Sequence, residues 1–100
     1  MIKHIVMWTL KGTTAEEKAD GIRRVKAAFV GMKEEIPGLV SLEIGADISS
    51  VEYSCDVVLF SEFESPEALE HYAVHPAHLR VKEQLAGLRI ARHQVDYLAE

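Results

Sequence analysis

Apolar positions change their spacing several times along this chain, and each change marks an element. His4 to Leu10 (HIVMWTL) is rich in β-branched and aromatic residues and runs into Lys11-Gly12, which predicts a strand ending at a turn. Thr14 with Glu17 three residues later is a capping-box signature. From there Ile22, Val25, Phe29, Met32 and Ile36 recur at alternating three and four, predicting one helix to about Glu35 that Pro37-Gly38 terminates. Leu39 to Ile48 alternates Val40, Leu42 and Ile44 with Ser41, Glu43 and Gly45, the period of a second strand, with a loop over Ser49 to Ser54 after it. Val57 to Phe63 reads as a third strand. Ser65-Pro66 offers an N-cap and a proline at the first helical position of a helix holding Leu69 and Tyr72. Pro76 disfavours helical geometry at His75, yet His78, Val81, Leu85 and Leu88 resume helical spacing, so this helix is expected to be broken. Ile90 to Leu98 (IARHQVDYL) closes the chain as a fourth strand.

The order βαββαβ predicts an α+β, ferredoxin-like domain: a four-stranded antiparallel sheet with its helices on one face. In the first strand one face carries His4, Val6, Trp8 and Leu10 and the other Ile5, Met7 and Thr9. In the third, Val57 and Leu59 oppose Val58 and Phe60. Alternate residues of a strand point to opposite faces, so both faces are apolar there, whereas a sheet covered on one side only would turn polar residues outward. A second copy of the chain is the natural cover for the side away from the helices, which predicts a homodimer through the sheet face.

With 100 residues and 48 % hydrophobic content, residues 1–100 make one domain with enough apolar side chains for a core. Such a small domain gains appreciably from burying further surface against a partner. The formal charge of -5 and pI near 5.5 argue against nucleic acid or an anionic membrane as partner; Arg23, Arg24 and Lys26 belong to a solvated helix face. The single Cys55 requires no oxidising compartment, and no segment is long and apolar enough for a signal or a span, so the expected location is the cytoplasm.

Four residues could carry chemistry. His78 shares a helical face with Val81 and Leu85, which turns its imidazole toward the sheet, where it needs a partner. Tyr72 is its neighbour across the break at Pro76, His4 shares a strand face with Val6 and Trp8, and Asp96 lies in the last strand. An imidazole base, a phenol that donates to a developing oxyanion and a carboxylate or second imidazole that orients them are the parts needed to abstract a proton beside a carbonyl. On this reading His78 is the base, Tyr72 the donor, and Asp96 or His4 the orienting group. The structural alternative is a satisfied polar network that fixes helix against sheet. His71, His75 and His78 lack the spacing of a metal-binding helix: His75 reads as a cap, His71 as solvated, and no metal is expected. The six glycines are too dispersed for a phosphate loop, and Ser61 and Cys55 sit in no triad pattern.

The segment Tyr72-Ala73-Val74-His75-Pro76-Ala77-His78, with Ile2-Lys3-His4-Ile5-Val6, Phe63-Glu64-Ser65 to Ala68-Leu69, and Val95-Asp96-Tyr97, resembles the stress-responsive dimeric α/β-barrel (Dabb) family over nearly the whole chain. The resemblance implies two ferredoxin-like subunits packed sheet to sheet into a barrel, with a small pocket between each sheet and its own helices. Here that pocket would be lined by Val6, Trp8, Ile22, Val25, Phe29 and Leu59. A plant member is a polyketide cyclase that makes olivetolic acid by intramolecular aldol condensation; its tyrosine, histidines and aspartate are similar to Tyr72, His78, His4 and Asp96. The resemblance thus implies a small, partly apolar carbonyl compound as ligand and no cofactor. The alternatives are a cyclase-like lyase, a cofactor-independent monooxygenase and a dimer with a purely structural role.

Overall fold

The computed structural model describes residues 1–100 as β1 (Ile2–Leu10), α1 (Ala15–Ala28), α2 (Met32–Glu35), β2 (Leu39–Ala46), β3 (Val57–Phe63), α3 (Pro66–Val74), α4 (Pro76–Gln84) and β4 (Arg89–Leu98). Local chemistry explains most boundaries. At the start of α1 the Thr14 side chain accepts from Glu17 N while the Glu17 carboxylate accepts from Thr14 N, the reciprocal pair anticipated from their spacing. The single helix expected to reach Glu35 is instead interrupted: α1 is capped at Phe29, and Gly31 takes φ 80° before the short α2. A left-handed residue cannot continue a right-handed helix, and glycine adopts it without steric cost. The apolar stripe survives the break, since Val25, Phe29, Met32 and Ile36 are all buried. Gly38 is left-handed as well (φ 83°), and a Cβ there would lie 2.6 Å from that of Ala68, so β2 can enter beneath α3 only with glycine.

The second helical stretch is broken where the proline requires it. Ser65 caps α3 by accepting from Ala68 N; His75 then goes extended (φ -69°, ψ 139°), and its Nδ1 accepts from Ala77 N at 3.0 Å to cap α4.

The strands form one antiparallel sheet in the order β2-β3-β1-β4, the ferredoxin-like arrangement of an α+β fold. The register Val6↔Leu59, His4↔Ser61, Ile2↔Phe63 and Ile44↔Leu59 puts these residues on the helix-covered face. There Val6, Leu10, Leu59 and Phe63 join Val25, Met32, Val81 and Leu85 in one apolar core. The other face carries Ile5, Met7, Val58, Phe60, Val95 and Tyr97, interspersed with Lys3, Glu43, Glu62 and His93. No element of the chain covers it, and Met7, Val95 and Tyr97 remain 37 %, 50 % and 45 % exposed. No helix is long and apolar enough to cross a membrane.

Candidate functional site

The helix-covered face turns polar along its outermost strand. On β4 the residues facing the helices are Arg92, Gln94 and Asp96, opposite Trp8, Val6 and His4 of β1. They are linked end to end: Arg92 donates to Gln94 Oε1, Gln94 Nε2 donates to Asp96 Oδ2 at 3.0 Å, and the other Asp96 oxygen takes a short hydrogen bond from His4 Nδ1. His4 is almost fully buried, while the Asp96 side chain stays about one-third exposed. A carboxylate at the rim thus fixes the tautomer and orientation of a buried imidazole.

Across from this strand the break at His75 brings α3 and α4 together. Tyr72, 3 % exposed, lies 6.0 Å from the His4 ring, 5.2 Å from Phe63 and 4.2 Å from His78, centroid to centroid. His78 occupies the border of its helix's inner face: Ala77, Val81 and Leu85 point fully inward, whereas His78 is half-buried. Its Nδ1 lies 3.2 Å from the Ala73 carbonyl, which can only accept, so Nδ1 carries the proton and Nε2 the lone pair.

Burial sets the protonation of both groups. It pushes the Tyr72 phenol up to about 12, against the opposing pull of Arg92 and Arg89, so the hydroxyl is a neutral donor at physiological pH. Burial holds the His78 imidazole below its ordinary value; the Ala73 bond works against this, and Lys82, Arg92 and His4 add to it. The folded protein therefore resists a proton on His78 that the unfolded chain accepts. Stability should be complete above about pH 6.5 and fall as the pH drops through the depressed folded value. Urea midpoints measured between pH 5 and 7.5 should show a shallower decline in His78→Gln; an unchanged decline would place the titration elsewhere.

The four proposed chemical residues thus lie along one side of the sheet, with Asp96 paired to His4 and Tyr72 packed between His4, which it meets edge-on, and His78, against which it is tilted. The residues expected to line a pocket are placed differently. Val6, Trp8, Val25, Phe29 and Leu59 are buried against one another in the core, Trp8 stacks on Phe29 at 6.2 Å, and Ile22 packs on that cluster from its border. Of the remaining histidines, His75 is spent as a cap and His71 is exposed; no three His, Cys, Asp or Glu side chains converge as metal ligands.

Several features were not anticipated from sequence. Trp8 Nε1 is buried with no acceptor within reach, and the Arg89 guanidinium lies 5.3 Å above the Trp8 ring. Lys18 bridges the Leu10 carbonyl (2.6 Å) and Asp56 Oδ2 (2.8 Å), and Asp56 also accepts from Leu10 N at 2.7 Å, closing the sheet where the β1–β4 register slips. The polar alternation Arg92, Gln94, Asp96 was the available signal for the linked track on β4; the Trp8–Arg89 and Lys18–Asp56 contacts join residues far apart in sequence.

A cleft of about 250 Å³ between β4 and α3, with Leu69, Glu70 and Leu98 in its walls, ends on Asp96. The largest cleft, about 590 Å³, lies on the open face beneath the loop before β3 and is bordered by Met7, Tyr53, Cys55, Val58 and His93.

Strand order, helix placement and this polar edge define a ferredoxin-like α+β protein with its candidate chemistry between the outermost strand and a broken helix. A family model, the stress responsive A/B barrel domain (Dabb), matches residues 2–99, and the chain belongs to that family. Among solved structures it is similar to a dimeric ferredoxin-like protein of unknown function from Bacteroides fragilis (29 % identity, TM-score 0.83, covering 96 % of this chain and 93 % of that one). A dimeric ferredoxin-like protein from Thermobifida fusca shares 21 % identity (TM-score 0.82, 98 % and 90 % covered), a likeness of fold. The same holds for a hydroxynitrile lyase from Passiflora edulis (14 % identity, TM-score 0.79, 99 % and 93 % covered). No curated protein matches the sequence.

Proposed function

We propose that this protein is a cytoplasmic homodimer, joined through the open faces of its two sheets, in which each subunit binds a small, partly apolar carbonyl compound between β4 and the α3–α4 pair. The dimeric relatives and the uncovered apolar face support the first part. The observation that carries the second is the Tyr72–His78 pair: a buried neutral phenol in ring contact with an imidazole whose lone-pair nitrogen has no use in the fold. A carbonyl oxygen accepts from Tyr72 Oη, and the apolar remainder lies against rings rather than water. Access runs through His78, which is half-exposed and hydrogen-bonded through one nitrogen only. The open-face cleft is the poorer candidate, because the partner sheet would cover it.

Acetophenone, titrated by NMR, should bind the wild-type protein, and Tyr72→Phe should weaken it about tenfold, the worth of one buried hydrogen bond. His78→Ala should weaken it comparably, with melting temperatures recorded alongside. Absence of binding, or affinity indifferent to both substitutions, would leave the network a structural one.

The tautomer of His78 favours a second, catalytic reading. Nε2 takes a proton from the carbon beside the carbonyl, the C–H electron pair forms the new C=C bond as the carbonyl π pair moves to oxygen, and Tyr72 donates to the resulting enolate. Such a protein exchanges the methyl protons of acetophenone into D2O faster than buffer does, and His78→Ala abolishes the excess; equal rates with and without protein would reject this reading.

A further inference from the structure

The chain carries a net charge of -5, yet two guanidiniums stand at this site without a carboxylate between them. Arg89 and Arg92 both lie at the start of β4; Arg89 is half-buried over the Trp8 ring, and Arg92 is paired across the sheet with Trp8 itself. Neither enters an ion pair: the four in the structure join His4 to Asp96, Lys18 to Asp56, Arg23 to Asp20 and Arg80 to Glu35. The nearest acid on the strand, Asp96, is kept from Arg92 by Gln94, which accepts from the guanidinium with Oε1 and donates to the carboxylate with Nε2. Two residues of strand span about 7 Å and four about 13 Å, so the positive and negative ends of this track are held apart rather than neutralised.

We infer that Arg92 and Arg89 form an anion subsite of the carbonyl-binding site, so that its ligand is a small carboxylate whose ring or keto group reaches Tyr72 and His78. This rests on the reading of the site given above and names its ligand class. Like charges crowded at a partly buried position are unfavourable until an anion joins them, and a planar carboxylate matches the guanidinium fork. Burial, with Arg92 adding to it, holds the Arg89 guanidinium below its ordinary value, and both arginines pull on the Tyr72 phenol, which fits this placement. A monoanion suits a site walled by an indole better than a phosphate dianion, whose desolvation costs more.

The test compares 4-acetylbenzoate, its neutral methyl ester, acetophenone and inorganic phosphate by NMR titration. 4-Acetylbenzoate should bind about tenfold more tightly than acetophenone or the ester, as one charge-assisted contact provides. Raising the salt should narrow that ratio. Arg92→Gln, at an exposed position that should leave folding intact, should bring it near one, and Arg92→Lys should retain part of it. Equal affinity for charged and neutral ligands would overturn the anion subsite while leaving the carbonyl site standing. Binding of phosphate in preference to the carboxylate would overturn the ligand class, and failure of all four ligands would remove the carbonyl site itself.

Discussion

Phe60→Asp should convert the protein to monomers. Phe60 sits near the centre of the open face, opposite Ile5 on one side and Glu43 on the other, with Lys3 Nζ 5.8 Å above its ring. In a two-fold dimer joined through this face the substitution enters twice, placing two carboxylates in an interface where Glu43 lies opposite and the nearby Lys3 already faces Glu62. At about 2 kcal/mol of unpaired burial for each, the dimer should weaken on the order of a thousandfold. Sedimentation at micromolar concentration would read the loss, with circular dichroism confirming that the fold persists. The persistence is expected because Phe60 contributes nothing to the core between sheet and helices. A Phe60→Asp protein that still sediments as a dimer would mean the face is covered in some other way.

Phe63→Ala should have the largest effect on stability, about 3–5 kcal/mol, because the side chain is fully buried and its loss opens a cavity the fold cannot fully collapse around. A domain of this size has roughly 5–15 kcal/mol in all, so a large share of the margin would go and the melting temperature should fall by roughly 15 °C or more. The consequence reaches the site as well. Phe63 supports the His4 ring at 6.1 Å and Tyr72 at 5.2 Å, so it is the contact through which core packing positions the phenol. Phe63→Leu, which preserves most of the volume, should cost far less and retain ligand binding. A loss below about 1 kcal/mol for the alanine variant would show that the core can close over the gap.

How much of this was legible in the sequence depends on the range of the interaction involved. The strands, the Thr14 cap, the Pro37-Gly38 stop and the helix break at His75 follow from neighbours within a few residues, and they lie in the structure within two residues of where the pattern put them. The interruption at Gly31 did not show, because the apolar stripe continues through it and a glycine within a helical pattern is common enough to pass. The apolar outer face was visible because strand alternation is strict.

The site was legible only in part. His78 and Tyr72 share a short segment, so their approach could be reasoned from helical spacing. The His4–Asp96 bond spans the chain from end to end and depends on strand register, which sequence alone does not specify. The pocket expected around Trp8, Val25 and Phe29 shows how little an apolar pattern says about empty space: the same residues can line a cavity or fill it, and here they stack. Arg92 and Gln94 escaped notice because a polar edge strand reads like an ordinary solvated face until its register against Trp8 and Val6 is known.

The most direct test of the carbonyl site is a crystal structure of the protein grown with acetophenone. One ligand per subunit is expected, with its oxygen within about 2.6–3.2 Å of Tyr72 Oη and its ring in contact with His78. A ligand seated instead in the cleft beside Met7 and His93, with the Tyr72–His78 rings still closed on each other, would contradict it.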